Sequence, residues 1–150
     1  MRERLKFNIS NDYEELKILN QSVRTFLGSI NVSVKTIYKI NLILEEMITN
    51  IIKYGYDDNK KHEVELNINI TTKHIRIRII DDGKEFDSIM SPSPETGLPL
   101  EKIKLGGLGI FIVKNVSSNI KYKRHKKKNV LRVKLPYKEE IKNKIKKQEH

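Results

Sequence analysis

Between Val64 and Ile79 the chain is apolar at every second residue. Val64, Leu66, Ile68 and Ile70 alternate with Glu65, Asn67 and Asn69; after Thr71-Thr72-Lys73 the pattern resumes, with Ile75, Ile77 and Ile79 set between His74, Arg76 and Arg78. Side chains of a strand point alternately to its two faces, so this pattern demands a hairpin with one buried and one wet face. A sheet with one apolar face needs a second layer to cover it. The preceding stretch supplies helices for that layer. Leu16, Leu19, Val23, Phe26 and Leu27 recur at helical spacing behind the N-cap candidates Ser10, Asn11 and Asp12, and Gly28 is expected to end that helix. Ser33 caps a second predicted helix that runs to about Tyr54 and stops at Gly55, followed by a turn at Asp57-Asp58-Asn59-Lys60.

The remaining pieces are shorter. Lys6–Ile9 reads as a first strand, and a third helix is predicted from about Leu108 to Val116. Ile120–Tyr122 and Val130–Leu135 read as a last hairpin across a basic turn at 123–128. Residues 82–105 have no regular period and hold Pro92, Pro94 and Pro99; a loop this long in a compact domain suggests a lid or binding loop. Pro136 is expected to end the domain, leaving 137–150 as a basic tail. The order predicts an α+β two-layer sandwich: a mixed, largely antiparallel sheet with helices on one face.

The 150 residues suit one domain. There is no cysteine, which excludes disulfides and thiolate metal sites. No apolar run approaches the roughly 18 residues of a membrane span, and the first residues lack the apolar core of a signal peptide, so a cytoplasmic location without membrane contact is expected. The net charge of +11 is uneven. Residues 121–150 carry 13 Lys and Arg against 3 acids, and the first 120 carry 17 against 16. A basic end can attract polyanions or simply be solvated, and no aromatics interleave the tail's lysines, so nucleic acid is not an expected partner. The four histidines show no ligand spacing for zinc.

Three groups of residues carry chemistry. On the second predicted helix, Glu46, Asn50 and Lys53 are neighbours at i, i+4 and i+7 on the face opposite Ile37, Ile40, Leu44, Met47, Ile48 and Ile51. They could be a solvated stripe, or a base, an oxygen ligand for Mg²⁺ and a phosphate contact. Asp81 follows Ile75, Ile77 and Ile79 on the inward side of its strand, where a carboxylate needs donors from the protein or from a ligand such as an exocyclic amine. Gly83 lets the backbone approach a ring closely, and Phe86 could close a pocket there; the plain alternative is an Asp-Asp-Gly turn with a satisfied carboxylate. Gly106, Gly107 and Gly109 precede the apolar helix beginning Ile110-Phe111, which suits a hinge or an anion held at a helix start. There is no Gly-x-x-x-x-Gly-Lys-Ser/Thr, and Ile112 stands where a dinucleotide fingerprint needs its third glycine.

Taken in order, these groups resemble the GHKL ATPases of the Bergerat fold, the superfamily of gyrase, histidine kinases and MutL. Glu46-x-x-x-Asn50 resembles the N box, Asp81-x-Gly83 with Phe86 the first glycine box, and Gly106-Gly107-Leu108-Gly109 the second, with residues 87–105 as the ATP lid. Within that superfamily, Leu44 to Tyr56 is similar to the anti-sigma-factor serine/threonine kinases. The resemblance implies ATP and Mg²⁺ as cofactors. Glu46 would be the general base, Asn50 the metal ligand, and Lys53 a residue near the phosphates. Asp81, Gly83 and Phe86 would hold adenine, and Gly106, Gly107, Leu108, Gly109 and Ile110 the phosphate end. It further implies a homodimer that phosphorylates a small anti-anti-sigma (STAS-type) partner and regulates a sigma factor. A nucleotide-gated binding module without catalysis, or a detached histidine-kinase catalytic domain, are the alternatives. Glu85 departs from the family where many members have glycine, and only Lys104 offers a basic residue before the second glycine box.

Overall fold

The computed structural model describes residues 3–87 and 107–137, the side chain of Leu108 excepted. Its elements are β1 (Glu3–Ser10), α1 (Tyr13–Ser29), α2 (Val34–Tyr54), β2 (Glu63–Ile70), β3 (His74–Asp81), α3 (Gly107–Val116), β4 (Asn119–His125) and β5 (Lys128–Pro136). The strands form one sheet in the order β1-β2-β3-β5-β4. Every pairing is antiparallel, so the expected mixed character is absent among the described residues. The reason is where the last hairpin lands. A chain returning from β3 through α3 delivers β4 in the direction of β3, but β4 takes the edge and its partner β5 inserts between them.

The alternation of β2 and β3 holds residue by residue: Val64, Leu66, Ile68, Ile70, Ile75, Ile77 and Ile79 are buried, and Leu131, Val133 and Leu135 extend the same face across β5. Leu16, Leu19, Val23 and Leu27 of α1 and Ile40, Leu44, Met47 and Ile48 of α2 cover it, with Ile110 and Val113 of α3. Tyr137 also joins this core, its N–H bonded to Lys73 O at 3.0 Å, so packing continues one residue past Pro136. Residues 88–105 of the expected lid and the expected tail from 138 lie outside the described residues. Among the described residues no helix is long and apolar enough to cross a membrane.

One helix end and one turn differ from the sequence expectation, while the start of α1 agrees with it. Asp12, of the three candidates, caps α1 by accepting from Glu15 N–H at 3.0 Å. The helix does not end at Gly28. It runs on to Ser29, and Asn31 takes the left-handed conformation (φ 65°), while Val32 N–H reaches Leu27 O and Asn31 N–H reaches Gly28 O. This is a Schellman ending with asparagine in the glycine position, a residue that tolerates the left-handed well. The last hairpin turns at Lys126-Lys127 alone, both at positive φ, where a turn over 123–128 was expected. The strands are longer because Lys123–His125 and Lys128 pair across the hairpin as far as the turn.

Candidate functional site

α2 and β3 meet at their C-terminal ends, where Gly83 packs against the Gly55 backbone. Lys84 N–H donates to Gly55 O at 2.9 Å, and a Cβ on Gly83 would lie 2.8 Å from Gly55 O and 3.0 Å from Gly55 Cα. Gly55 has ordinary helical torsions, and a Cβ there would meet Ile51 O of its own last turn at 2.6 Å, so the close approach between the two elements falls to Gly83. The approach expected at Gly83 therefore serves the backbone of α2.

This junction brings the α2 stripe over the end of the sheet. Asn50 is only 8% exposed, not on a solvated face, and lines a slot with Met47, Ile51, Ile79, Asp81, Phe86, Tyr122, Asn129 and Leu131. No hydrogen bond from another described residue reaches its amide. Asp81 is 5% exposed, as strand parity requires. Its Oδ1 accepts from Gly83 N–H and from Asn129 Nδ2, both at 2.9 Å. Gly83 and Asn129 thus satisfy one oxygen, and among the described residues no hydrogen bond reaches Oδ2. Burial raises the pKa of Asp81, opposed by the bonds from Asn129 and Gly83. Phe86 stands at the mouth, 42% exposed, with its ring centroid 6.1 Å from that of Tyr54. The slot encloses about 30 Å³, room for a water or two.

Glu46 lies one turn before Asn50, half-buried. A Cβ placed on Gly109 would fall 2.0 Å from its Oε2, so the carboxylate sits directly against the first turn of α3. N–H groups of a helix's first turn have no intrahelical partner, and the positive end of the helix dipole lies there. Burial and Glu45 raise the Glu46 pKa, and Lys53 opposes them. Glu45 itself is exposed and accepts from Asn20 Nδ2 of α1 at 2.9 Å. Lys53 is exposed, and its charge is felt at Glu46. Ile110 is buried in the core. Gly106 and Lys104 lie outside the described residues.

Sequence reasoning missed Asn129. Its amide nitrogen donates to Asp81, to Lys84 O at 2.8 Å and to Gly83 O at 3.4 Å, while its oxygen accepts from Tyr122 Oη at 2.5 Å and Arg124 Nη1 at 3.0 Å. Arg124 Nη1 also donates to Gly83 O at 2.7 Å. The signal was present: Asn129 shares inward parity with Leu131, Val133 and Leu135, the same sign that marked Asp81, and the two are register partners.

Among the described residues no three His, Cys, Asp or Glu side chains cluster as a metal site. Mg²⁺ does not need such a cluster, because it binds through one or two protein oxygens together with phosphates and water. The amide oxygen of Asn50, to which no described residue donates, fits that mode.

The model of the histidine kinase-like ATPase domain matches residues 9–135. A serine-protein kinase RsbW of Oceanobacillus iheyensis is 32% identical over 94 residues, 59% of each chain. A serine-protein kinase RsbW of Listeria innocua is 25% identical over 93 residues, with the same coverage. The match thus spans about three fifths of the length of these relatives. Among solved structures, the RsbU and RsbW domains of a Mycobacterium tuberculosis protein superpose with a TM-score of 0.60 at 13% identity, covering 90% of this chain and 33% of that one. That likeness is one of fold.

Proposed function

This chain belongs to the histidine kinase-like ATPase domain family, and from that premise we propose that it is an ATP-dependent serine/threonine protein kinase of the cytoplasm. Its substrate is a small anti-anti-sigma (STAS-type) protein, and a sigma factor is the regulated target. The observation that carries this reading is the convergence of Glu46 on Gly109 while Asn50 and Asp81 line one slot beside them. Asp81 Oδ2 accepts the exocyclic amine of adenine, and Asn129 holds the other oxygen in place. Asn50 would contribute an oxygen to Mg²⁺, which would neutralise phosphate charge when bound. The first turn of α3 offers N–H groups to the phosphates.

A glutamate whose pKa is raised by burial is a better base than an exposed one. Glu46 accepts the proton of the substrate serine as its Oγ attacks the γ-phosphorus. The bond from that phosphorus to the β–γ bridging oxygen breaks, and ADP leaves with the bonding pair. Positioning and electrostatics supply most of the rate in such transfers, and a general base typically adds about 10²–10⁴-fold.

The test is transfer of label from γ-labelled ATP to a purified STAS-domain protein. Glu46→Ala is expected to bind ATP and transfer nothing. Undiminished transfer would remove Glu46 from this role. ATP-dependent capture of the partner without any phosphoprotein, by the unaltered chain, would favour a nucleotide-gated binding module.

A further inference from the structure

The helices cover one face of the sheet; among the described residues no element packs on the other. Strand register sets that open face. Arg78 of β3 stands opposite Arg132 of β5, and Arg132 stands opposite Lys121 of β4; one rung along, Arg76 stands opposite Lys134. Arg76, Arg78, Arg132 and Lys121 are exposed. Like charges directly across a sheet repel and weaken it. Among the described residues the one ion pair on the strands of this face is Lys6–Glu65 at 3.2 Å, on β1 and β2. Glu65 also feels the charge of Arg78, and Glu63 and Asp82 line a groove with it. The acids thus lie toward one end, and Arg76, Arg132, Lys121 and Lys134 are left facing one another. The field is felt at His74, whose pKa is lowered by desolvation and by Lys134, Arg76 and Lys73. The fold therefore bears a repulsion that neither the core nor the nucleotide slot uses.

We propose that this open face, centred on Arg76, Arg78, Arg132 and Lys121, is a docking surface for an acidic protein. Four observations fit that occupant. A groove of about 430 Å³ runs between these side chains. Its arginines lie on the inner strands β3 and β5, and arginine is enriched within protein interfaces where lysine is depleted. Each guanidinium can take a carboxylate through two parallel bonds. Ile80 and Val130, paired across the same strands and half-buried, add an apolar spot beside the charges. No Phe, Tyr or Trp stands on the outward positions of the strands, so nucleic-acid bases would find no platform there. A second copy of the chain would bring like charge against like.

Polyglutamate labelled with a fluorophore serves as the acidic probe, read by anisotropy at low and physiological salt. The combined variant Arg76→Ser, Arg78→Ser, Arg132→Ser is compared with Lys142→Ser, Lys144→Ser, Lys146→Ser, which removes the same charge from the tail. The sheet variant should weaken binding by about tenfold or more, and the tail variant by about threefold or less. The sheet variant should melt no lower than the unaltered chain, since it relieves repulsion, and should bind ATP unchanged. Equal weakening by both variants would overturn the proposal. So would single-stranded DNA of matched length binding more tightly than polyglutamate and losing that binding in the sheet variant, which would mark a nucleic-acid surface. Self-association of the unaltered chain that the sheet variant abolishes would assign the face to a second copy. Failure of ATP binding in the unaltered chain would leave the proposal standing, because the face lies across the sheet from Glu46, Asn50 and Asp81.

Discussion

At the scale of residues, Gly83 and Gly109 meet different obstacles to a side chain. At Gly83 a Cβ meets the Gly55 backbone, which cannot move without shifting α2, so Gly83→Ala should cost about 1–3 kcal/mol in chemical denaturation. At Gly109 it meets the far end of Glu46, which can swing away, and alanine favours the helix by about 1 kcal/mol over glycine. Gly109→Ala should therefore fold at least as well as the unaltered chain yet lose phosphoryl transfer; retained transfer would mean the Glu46–Gly109 contact is irrelevant to chemistry. Asp81→Asn places a donor where a donor is to be received, and should weaken nucleotide binding by about 1–3 kcal/mol in calorimetry. Glu46 also makes a prediction about pH. A carboxyl with a raised folded pKa favours folding below its unfolded pKa of about 4, and that contribution is lost as pH rises through the folded pKa. The stability of Glu46→Gln relative to the unaltered chain should grow as pH is raised toward neutrality, and a gap independent of pH would contradict the raised pKa.

The elements add constraints that no single residue carries. The β4–β5 hairpin is a buttress for the site, since Arg124 and Asn129 bond the Asp81–Lys84 turn and Tyr122 bonds Asn129. Asn129→Ala strands buried partners and should cost about 1–3 kcal/mol of stability, with a matching loss of nucleotide affinity if Asp81 needs this support. The hairpin also carries strain. Lys126 and Lys127 both occupy the left-handed region, at φ 49° and 64°, which Asn-Gly adopts far more readily. Lys126→Asn with Lys127→Gly should raise the unfolding free energy by about 1 kcal/mol or more, measured by urea denaturation. An unchanged midpoint would show that other contacts of the turn offset the strain.

At the scale of the molecule, the slot between α2 and the sheet is smaller than any purine. On the proposed function nucleotide entry widens it, and Phe86, 42% exposed at the mouth, is the side chain expected to give way. The chain has no tryptophan, so Phe86→Trp supplies a lone reporter. Its emission should shift when nucleotide saturates the protein; a constant spectrum would locate the opening elsewhere. The two faces of the sheet have separate duties in this scheme. One holds the core and the slot, and the other holds its charges out to solvent.

Periodicity alone determined the two layers, the central hairpin and the inward aim of Asp81, because burial of alternate side chains is a local property of a strand. The order of Glu46, Asn50, Asp81 and the glycine run was also legible, since each lies on an element whose type its neighbours specify. What tertiary structure decided were relations between distant segments. Asn50 is buried where α2 meets residues of β3, β4 and β5, and Asn129 reaches Asp81 because β5 inserts beside β3. The basic face has the same origin: Arg76 and Arg78 lie more than fifty residues from Arg132 and Lys134, and only strand register places them side by side.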